Sequence, residues 1–234
     1  MACPTASIHT SARPPATRTL FPRPAPGAPG VSLLGHHSAK SYGATPYLAA
    51  HAGFGNIMVD CPRWSDALAD CLQAAGGVRL IVLTHADDVA DHAAWAARFG
   101  AQRVMHQADL RADTAGVESV LTGPGPWALA DRAVAIHTPG HTAGSISLLF
   151  RSEASQPAVL FTGDTLAGDE AGDLSAFPDY CWWDYKAQLA SVAALRGVGF
   201  VAVLPGHGRP AVYGSVEEKD AALEALLLRE GWAP

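Results

Sequence analysis

The sequence predicts an α/β fold, and three features predict it. Short apolar runs rich in β-branched residues alternate with Ala- and Leu-rich stretches of helical periodicity. Four of the apolar runs end on a His or an Asp, three of them beside a glycine, and strand ends are where open α/β sheets hold their ligands. The chain has 234 residues, 49% of them hydrophobic, which is enough for one sizeable core.

Residues 1–30 stand apart from the rest. They hold seven Pro together with Arg13, Arg18 and Arg23, and no acidic residue. This composition argues against a packed helix or strand and resembles an organellar transit peptide, of the chloroplast kind because no Arg-bearing amphipathic pattern is present. A disordered tail or a misplaced start codon is the alternative. The expected organisation is a leader over 1–30 and one domain over 31–234, bound for the chloroplast stroma, or cytoplasmic if the leader is only a tail.

From Val31 the elements follow in order. Tyr47–Ala50 and Asn56–Asp60 read as two strands joined by a turn at His51–Gly55. Ser65 or Asp66 caps a helix that carries Leu68, Cys71, Leu72 and Ala75 on one face and stops at Gly76-Gly77. Val78–Leu83 is a strand, Ala90–Phe99 a helical run ended by Gly100, and Arg103–His106 another strand. Further strands are expected at Ala133–His137, Ser145–Phe150, Ala158–Phe161 and Phe200–Leu204. Helices are expected at Asp184–Leu195 and Val216–Glu230, the second with Leu223, Leu226 and Leu227 as its apolar stripe.

Charge and cysteine content narrow the function. Lys and Arg number 16 against 22 Asp and Glu, a net charge of -6, which argues against a nucleic-acid or anionic-membrane surface as partner. No apolar run is long enough to span a bilayer. The expected partner is a small-molecule substrate, and the oligomeric state is left open. Cys3, Cys61, Cys71 and Cys181 form no close pair of the kind structural zinc needs, so free thiols in a reducing compartment are expected, with Cys61 a small buried hydrophobe.

The densest chemistry lies in Leu83-Thr-His-Ala-Asp-Asp-Val-Ala-Asp-His92, two imidazoles and three carboxylates directly after a strand. With a helix starting near Asp87 or Asp88, Asp88, Asp91 and His92 would share one face, and His85 and Asp87 would reach in from the turn. Carboxylates packed so closely repel one another unless a divalent cation lies among them. The plain alternative is an acidic helix start whose Asp residues cap the N-terminus. His141, Asp164 and His207 end three other apolar runs, and four such ends contributing only His and Asp point to a metal site.

The series formed by Asp60, Thr84-His85, Thr138-Pro-Gly-His141-Thr142, Phe161-Thr-Gly-Asp164 and Leu204-Pro-Gly-His207-Gly208 resembles the metallo-β-lactamase-fold hydrolases, the glyoxalase II-like branch above all. The resemblance spans about residues 42–213. It implies a four-layer αββα sandwich with one or two divalent metal ions, zinc first, at one edge. It assigns His141 to the first metal, Asp164 as the bridge and His207 to the second, with His85 as the first ligand of the second motif. That motif departs from the family's HxHxDH: Asp87 stands where the second His belongs, and Asp88 or Asp91, with His92, supplies the displaced pair if the helix begins in a different register. The expected metal ligands are thus His85, Asp87, Asp88, His92, His141, Asp164 and His207. Carboxylate in place of imidazole moves preference towards iron or manganese.

The family's chemistry implies hydrolysis of an ester, thioester or lactone, with Asp164 holding the metals and Asp88 or Asp91 orienting the attacking water. An iron-dependent enzyme resembling persulfide dioxygenase and a non-catalytic metal-binding or regulatory relative are the alternatives. No C-terminal helical pair of the length with which glyoxalase II binds glutathione is expected. Asp179–Tyr185 is an aromatic stretch that either lines the pocket mouth or packs in the core. His36, His37, His51, His106 and His137 fall on no motif and are expected at the surface or in packing roles.

Overall fold

The computed structural model describes residues 6–7, 20–35 and 43–233. Strand β1 (Ala6–Ser7) pairs antiparallel with β2 (Leu20–Phe21). Seven strands then lie side by side in chain order: β3 (Arg23–Pro24), β4 (Val31–Leu33), β5 (Tyr47–Ala49), β6 (Ile57–Val59), β7 (Leu80–Val82), β8 (Gln102–His106) and β9 (Ser119–Leu121). Pairing is antiparallel from β3 to β6 and parallel from β6 to β9. The parallel half needs crossovers, and α1 (Asp66–Ala74) and α2 (His92–Phe99) supply two of them.

The second sheet runs β10 (Trp127–Ala130), β11 (Ala133–His137), β12 (Ile146–Phe150), β13 (Ala158–Gly163), then β16 (Phe200–Pro205) and β17 (Ala211–Val212). Between β13 and β16 the chain makes a small hairpin of β14 (Ala167–Gly168) and β15 (Leu174–Ser175), then α3 (Tyr185–Ala194). Helix α4 (Val216–Arg229) follows β17. The β13–β16 pair is parallel, so both strands end at the same edge.

Side-chain alternation decides the layers. Ile57, Val59, Leu80 and Val82 meet Val159, Phe161, Ala202 and Leu204 in a core between the sheets. Their neighbours Met58 and Ile81 point the other way and pack with Leu68, Leu72 and Trp95 of α1 and α2. Leu160, Phe200 and Val203 likewise pack with Leu189, Val192, Leu223 and Leu226 of α3 and α4. The result is the expected four-layer αββα sandwich. Full burial of one such Leu, Ile or Phe contributes about 1.5–3 kcal/mol, and strands apolar on both faces are what a sheet covered on both sides requires.

Helix ends follow local chemistry. Ser65, Asp184 and Ser215 cap α1, α3 and α4 by accepting from the N–H of Leu68, Ala187 and Glu218 at 3.4, 3.0 and 3.2 Å. Gly100 ends α2 in the left-handed conformation, φ +63°. Among the described residues no helix is long and apolar enough to cross a membrane.

Three expectations need correction or limits. Part of the segment expected as a leader is folded onto the domain: Arg23 and Pro24 pair with Leu33 and Ser32, and Phe21, Ala25 and Ala28 are buried in the inter-sheet core. Pro24 is tolerated because β3 is an edge strand, where a missing N–H costs no ladder bond. The rest of the expected leader, residues 1–5 and 8–19, lies outside the described residues, as do His36 and His37. Cys61, buried, and Cys181 are free thiols, whereas Cys71 is disulfide-bonded.

Candidate metal centre

The site gathers at the ends of β7, β13 and β16 and the loop after β11, where the parallel pairings bring separate strand ends to one edge. His85 enters from β7 and is 1% exposed. Thr84 donates its N–H and its hydroxyl to the buried Asp60 carboxylate, at 2.8 Å each, so its oxygen is left to accept from His85 Nδ1 at 2.9 Å. The His85 Nε2 lone pair then faces the cleft. His141 is set the same way: Nδ1–H donates to the Tyr180 carbonyl at 2.8 Å. Both Nε2 atoms are buried without a hydrogen-bond partner.

Three carboxylates face these nitrogens. Asp88 Oδ2 lies 3.5 Å and Asp164 Oδ2 3.7 Å from His85 Nε2. Asp87 Oδ2 lies 3.4 Å and Asp164 Oδ2 3.7 Å from His141 Nε2. His207 Nδ1 approaches both Asp164 oxygens, at 2.9 and 3.0 Å, and Asp88 Oδ2 at 3.6 Å. Two sets, His85 with Asp87 and His141, and His85 with Asp88 and Asp164, each place their donor atoms within 4.8 Å of one another. Inward imidazole lone pairs set against carboxylates repel unless a cation joins them, so this donor set fits a divalent ion.

Glycine makes the approach possible at two points. A Cβ at Gly206 would stand 2.7 Å from Asp164 Oδ1, and one at Gly163, whose φ is +49°, 2.5 Å from Thr84 Oγ1. Gly206 N–H also donates to the Gly163 carbonyl at 2.9 Å, locking the two strand ends together.

The charges divide unevenly. Burial pushes Asp88 up to about 8, helped by the charge of Asp164. Burial acts on Asp164 in the same sense, but the imidazoles of His85, His207 and His141 outweigh it and hold that carboxyl below the usual range. Asp87 is held down at about 2, first by the His141 imidazole 3.4 Å away, against burial, then by His85 and Arg111. Burial raises Asp60 to about 7, against the two bonds from Thr84. Burial lowers His85.

The stretch 85–91 is a chain of turns, which corrects the expected helix start at Asp87 or Asp88. Ala90 takes φ +39° and α2 begins only at His92. Two of the expected site residues therefore point elsewhere. Asp91 accepts from the Trp64 N–H at 2.7 Å. His92 is buried with Nδ1 3.2 Å from Arg103 Nη1 and lies apart from the two donor sets. His85, Asp87, Asp88, His141, Asp164 and His207 do converge.

Sequence reasoning missed Asp109. Buried after β8, it accepts from Ala86 N–H at 2.9 Å, Thr142 Oγ1 at 2.6 Å and Gly144 N–H at 2.7 Å, and so pins the His85 and His141 loops to each other. Its only signal was an Asp just beyond a strand. Arg111 was missed too: Nη1 pairs with Asp87 Oδ1 at 3.0 Å and donates to the Ala86 carbonyl at 3.4 Å. Of the off-motif histidines, His106 is buried and stacks on His137, ring centroids 4.2 Å apart, and His51 is buried beside Phe54, which are packing roles. In the aromatic stretch, Tyr180 and Trp182 line the cleft and Tyr185 opens α3.

No family model matches the chain, and no curated protein matches it by sequence. Solved structures do match. BJP-1, a subclass B3 metallo-β-lactamase of Bradyrhizobium japonicum, is 17% identical with a TM-score of 0.57, over 88% of this chain and 90% of its own. An archaeal metallo-β-lactamase superfamily protein of Sulfolobus tokodaii is 19% identical with a TM-score of 0.59, over 88% and 87%. A metallo-β-lactamase from Pontibacter korlensis is 14% identical with a TM-score of 0.61, over 84% and 96%. The likeness is one of fold: the αββα sandwich of this chain is the metallo-β-lactamase fold.

Proposed function

We propose that the chain is a metal-dependent hydrolase of a small ester, thioester or lactone, of the glyoxalase II-like kind, in which His85, Asp87, Asp88, His141, Asp164 and His207 hold one or two divalent ions. The observation that carries this is the pair of buried Nε2 atoms, each fixed in tautomer by its own partner and each facing carboxylates from other strands. A divalent ion bound there supplies Lewis acidity and lowers the pKa of water to about 7.

The chain's own groups divide the remaining work. Asp164 stays ionised among three imidazoles and holds the two donor sets together. Asp88, whose Oδ2 lies 3.5 Å from His85 Nε2 and 3.6 Å from His207 Nδ1, is suited to orient the attacking water and pass its proton to a leaving group. Asp91, engaged with Trp64, has no such part. Three carboxylates make the donor set harder than an imidazole-rich one, which favours zinc less and iron or manganese more, and iron with oxidative chemistry is the second reading.

Elemental analysis of chelator-free protein, with a panel of thioesters and lactones, tests the proposal. About one or two zinc or manganese ions per chain and turnover that His207→Ala removes are expected. A single iron without hydrolysis would favour the oxidative alternative, and no metal at all would end both.

A further inference from the structure

The cleft over the metal centre measures about 750 Å³. Its lining includes the aromatic residues Phe177, Tyr180 and Trp182 and, beside Asp87, the cation Arg111. Tyr180 and Trp182 are each 64% exposed and leave apolar ring surface at the cleft.

The backbone that carries these aromatics is tied to the His141 loop. Trp182 N–H donates to the His141 carbonyl at 3.0 Å, Asp184 N–H to the Gly140 carbonyl at 3.0 Å, and the Tyr180 carbonyl takes His141 Nδ1–H. The Trp182 ring lies 6.2 Å from the His141 ring. Aromatic rings on an anchored loop beside the centre suit a flat apolar partner.

Arg111 is the one Arg or Lys that lines the cleft among the described residues, and its side chain is 55% exposed. Its loop is anchored by Arg111 N–H to Thr114 Oγ1 at 2.8 Å. Nη1 carries the bonds to Asp87 and Ala86, so Nε and Nη2 remain for a ligand, and a guanidinium matches a planar carboxylate.

We propose that the cleft takes a small organic carboxylate with a flat apolar body, the carboxylate on Arg111 and the body on Tyr180 and Trp182. This rests on the hydrolase reading only in making that ligand its substrate class. The alternative is that Arg111 does no more than hold Asp87.

The test is calorimetric titration of the zinc-loaded full chain with 2-naphthoate and with the neutral isostere 2-naphthamide. Wild type is expected to bind the carboxylate about tenfold more tightly or better. Arg111→Met should cut that preference about tenfold, and Trp182→Ala should weaken both ligands about equally and leave the preference intact. The same titrations on zinc-free protein should show the same loss in Arg111→Met, so that a change in metal content does not decide the outcome. A preference that survives in Arg111→Met, binding that Trp182→Ala leaves unchanged, or no binding of either probe would overturn the proposal. Binding is read without turnover, so failure to hydrolyse any substrate would sink the hydrolase reading and leave this result standing by itself.

Discussion

Thr84 gives both its backbone N–H and its hydroxyl to the buried carboxylate of Asp60, at 2.8 Å each, while the same hydroxyl stands 2.9 Å from His85 Nδ1. One side chain thus ties the end of β6 to the end of β7 and sets the tautomer of a candidate ligand. Thr84→Val keeps the shape and removes the hydroxyl. It should weaken zinc binding by about 10–100-fold and cost about 1–3 kcal/mol, since two buried polar groups lose a partner. Metal titration and urea denaturation of the same samples read the two effects.

Asp60 at about 7 and Asp88 at about 8 are carboxyls whose folded pKa values lie far above the unfolded 3.8. Such groups keep a proton in the folded chain that the unfolded chain has lost. Their contribution to stability is full below pH 3.8 and is lost as pH rises through 7 and 8, at up to about 1.4 kcal/mol per pH unit and group. Chelator-treated protein should therefore melt at a lower temperature at pH 8.5 than at pH 6, and added zinc should remove that decline. A metal-free melting temperature that rises over this range would contradict the two assignments.

Gly206→Ala is expected to spare the fold and damage the centre. The new methyl would stand 2.7 Å from Asp164 Oδ1, so that carboxylate must move, while Asp88 Oδ2 at 3.5 Å is only in contact. Overpacking of this kind costs about 1–3 kcal/mol, and the metal content should drop at least tenfold at equal metal exposure. Unchanged metal content by elemental analysis would mean that Asp164 is not a ligand in this position.

His92→Leu and His207→Ala should behave oppositely. His92 bonds Arg103 on the helix side of the sheet, so its loss should cost about 1 kcal/mol of stability and leave metal content alone. His207 is a third exposed at the cleft and bonds Asp164, so its loss should lower metal content with little change in stability. Paired thermal melts and metal analyses separate the two.

Much of this centre was legible in the chain order. His85, His141, Asp164 and His207 each follow an apolar run, and a strand end is a fixed place in a parallel or mixed sheet. The β3 and β10 strands and the boundary before Val31 were not legible, because short half-exposed or Pro-containing strands carry no alternation to read.

The sequence by itself determined the layers and the kind of donor. Alternation on β6, β7, β13 and β16 sends one set of side chains between the sheets and the other under helices, whatever the distant partners. Only the tertiary structure decided which of Asp87, Asp88, Asp91 and His92 face the centre. A positive φ at Ala90 turns the chain before α2 begins, and a rotation of that kind redirects every following side chain. It likewise took the packed sheets to bring Asp109 and Arg111 against the His85 loop. Hydrogen bonds between residues more than twenty positions apart depend on strand register and sheet packing, and no local pattern records them.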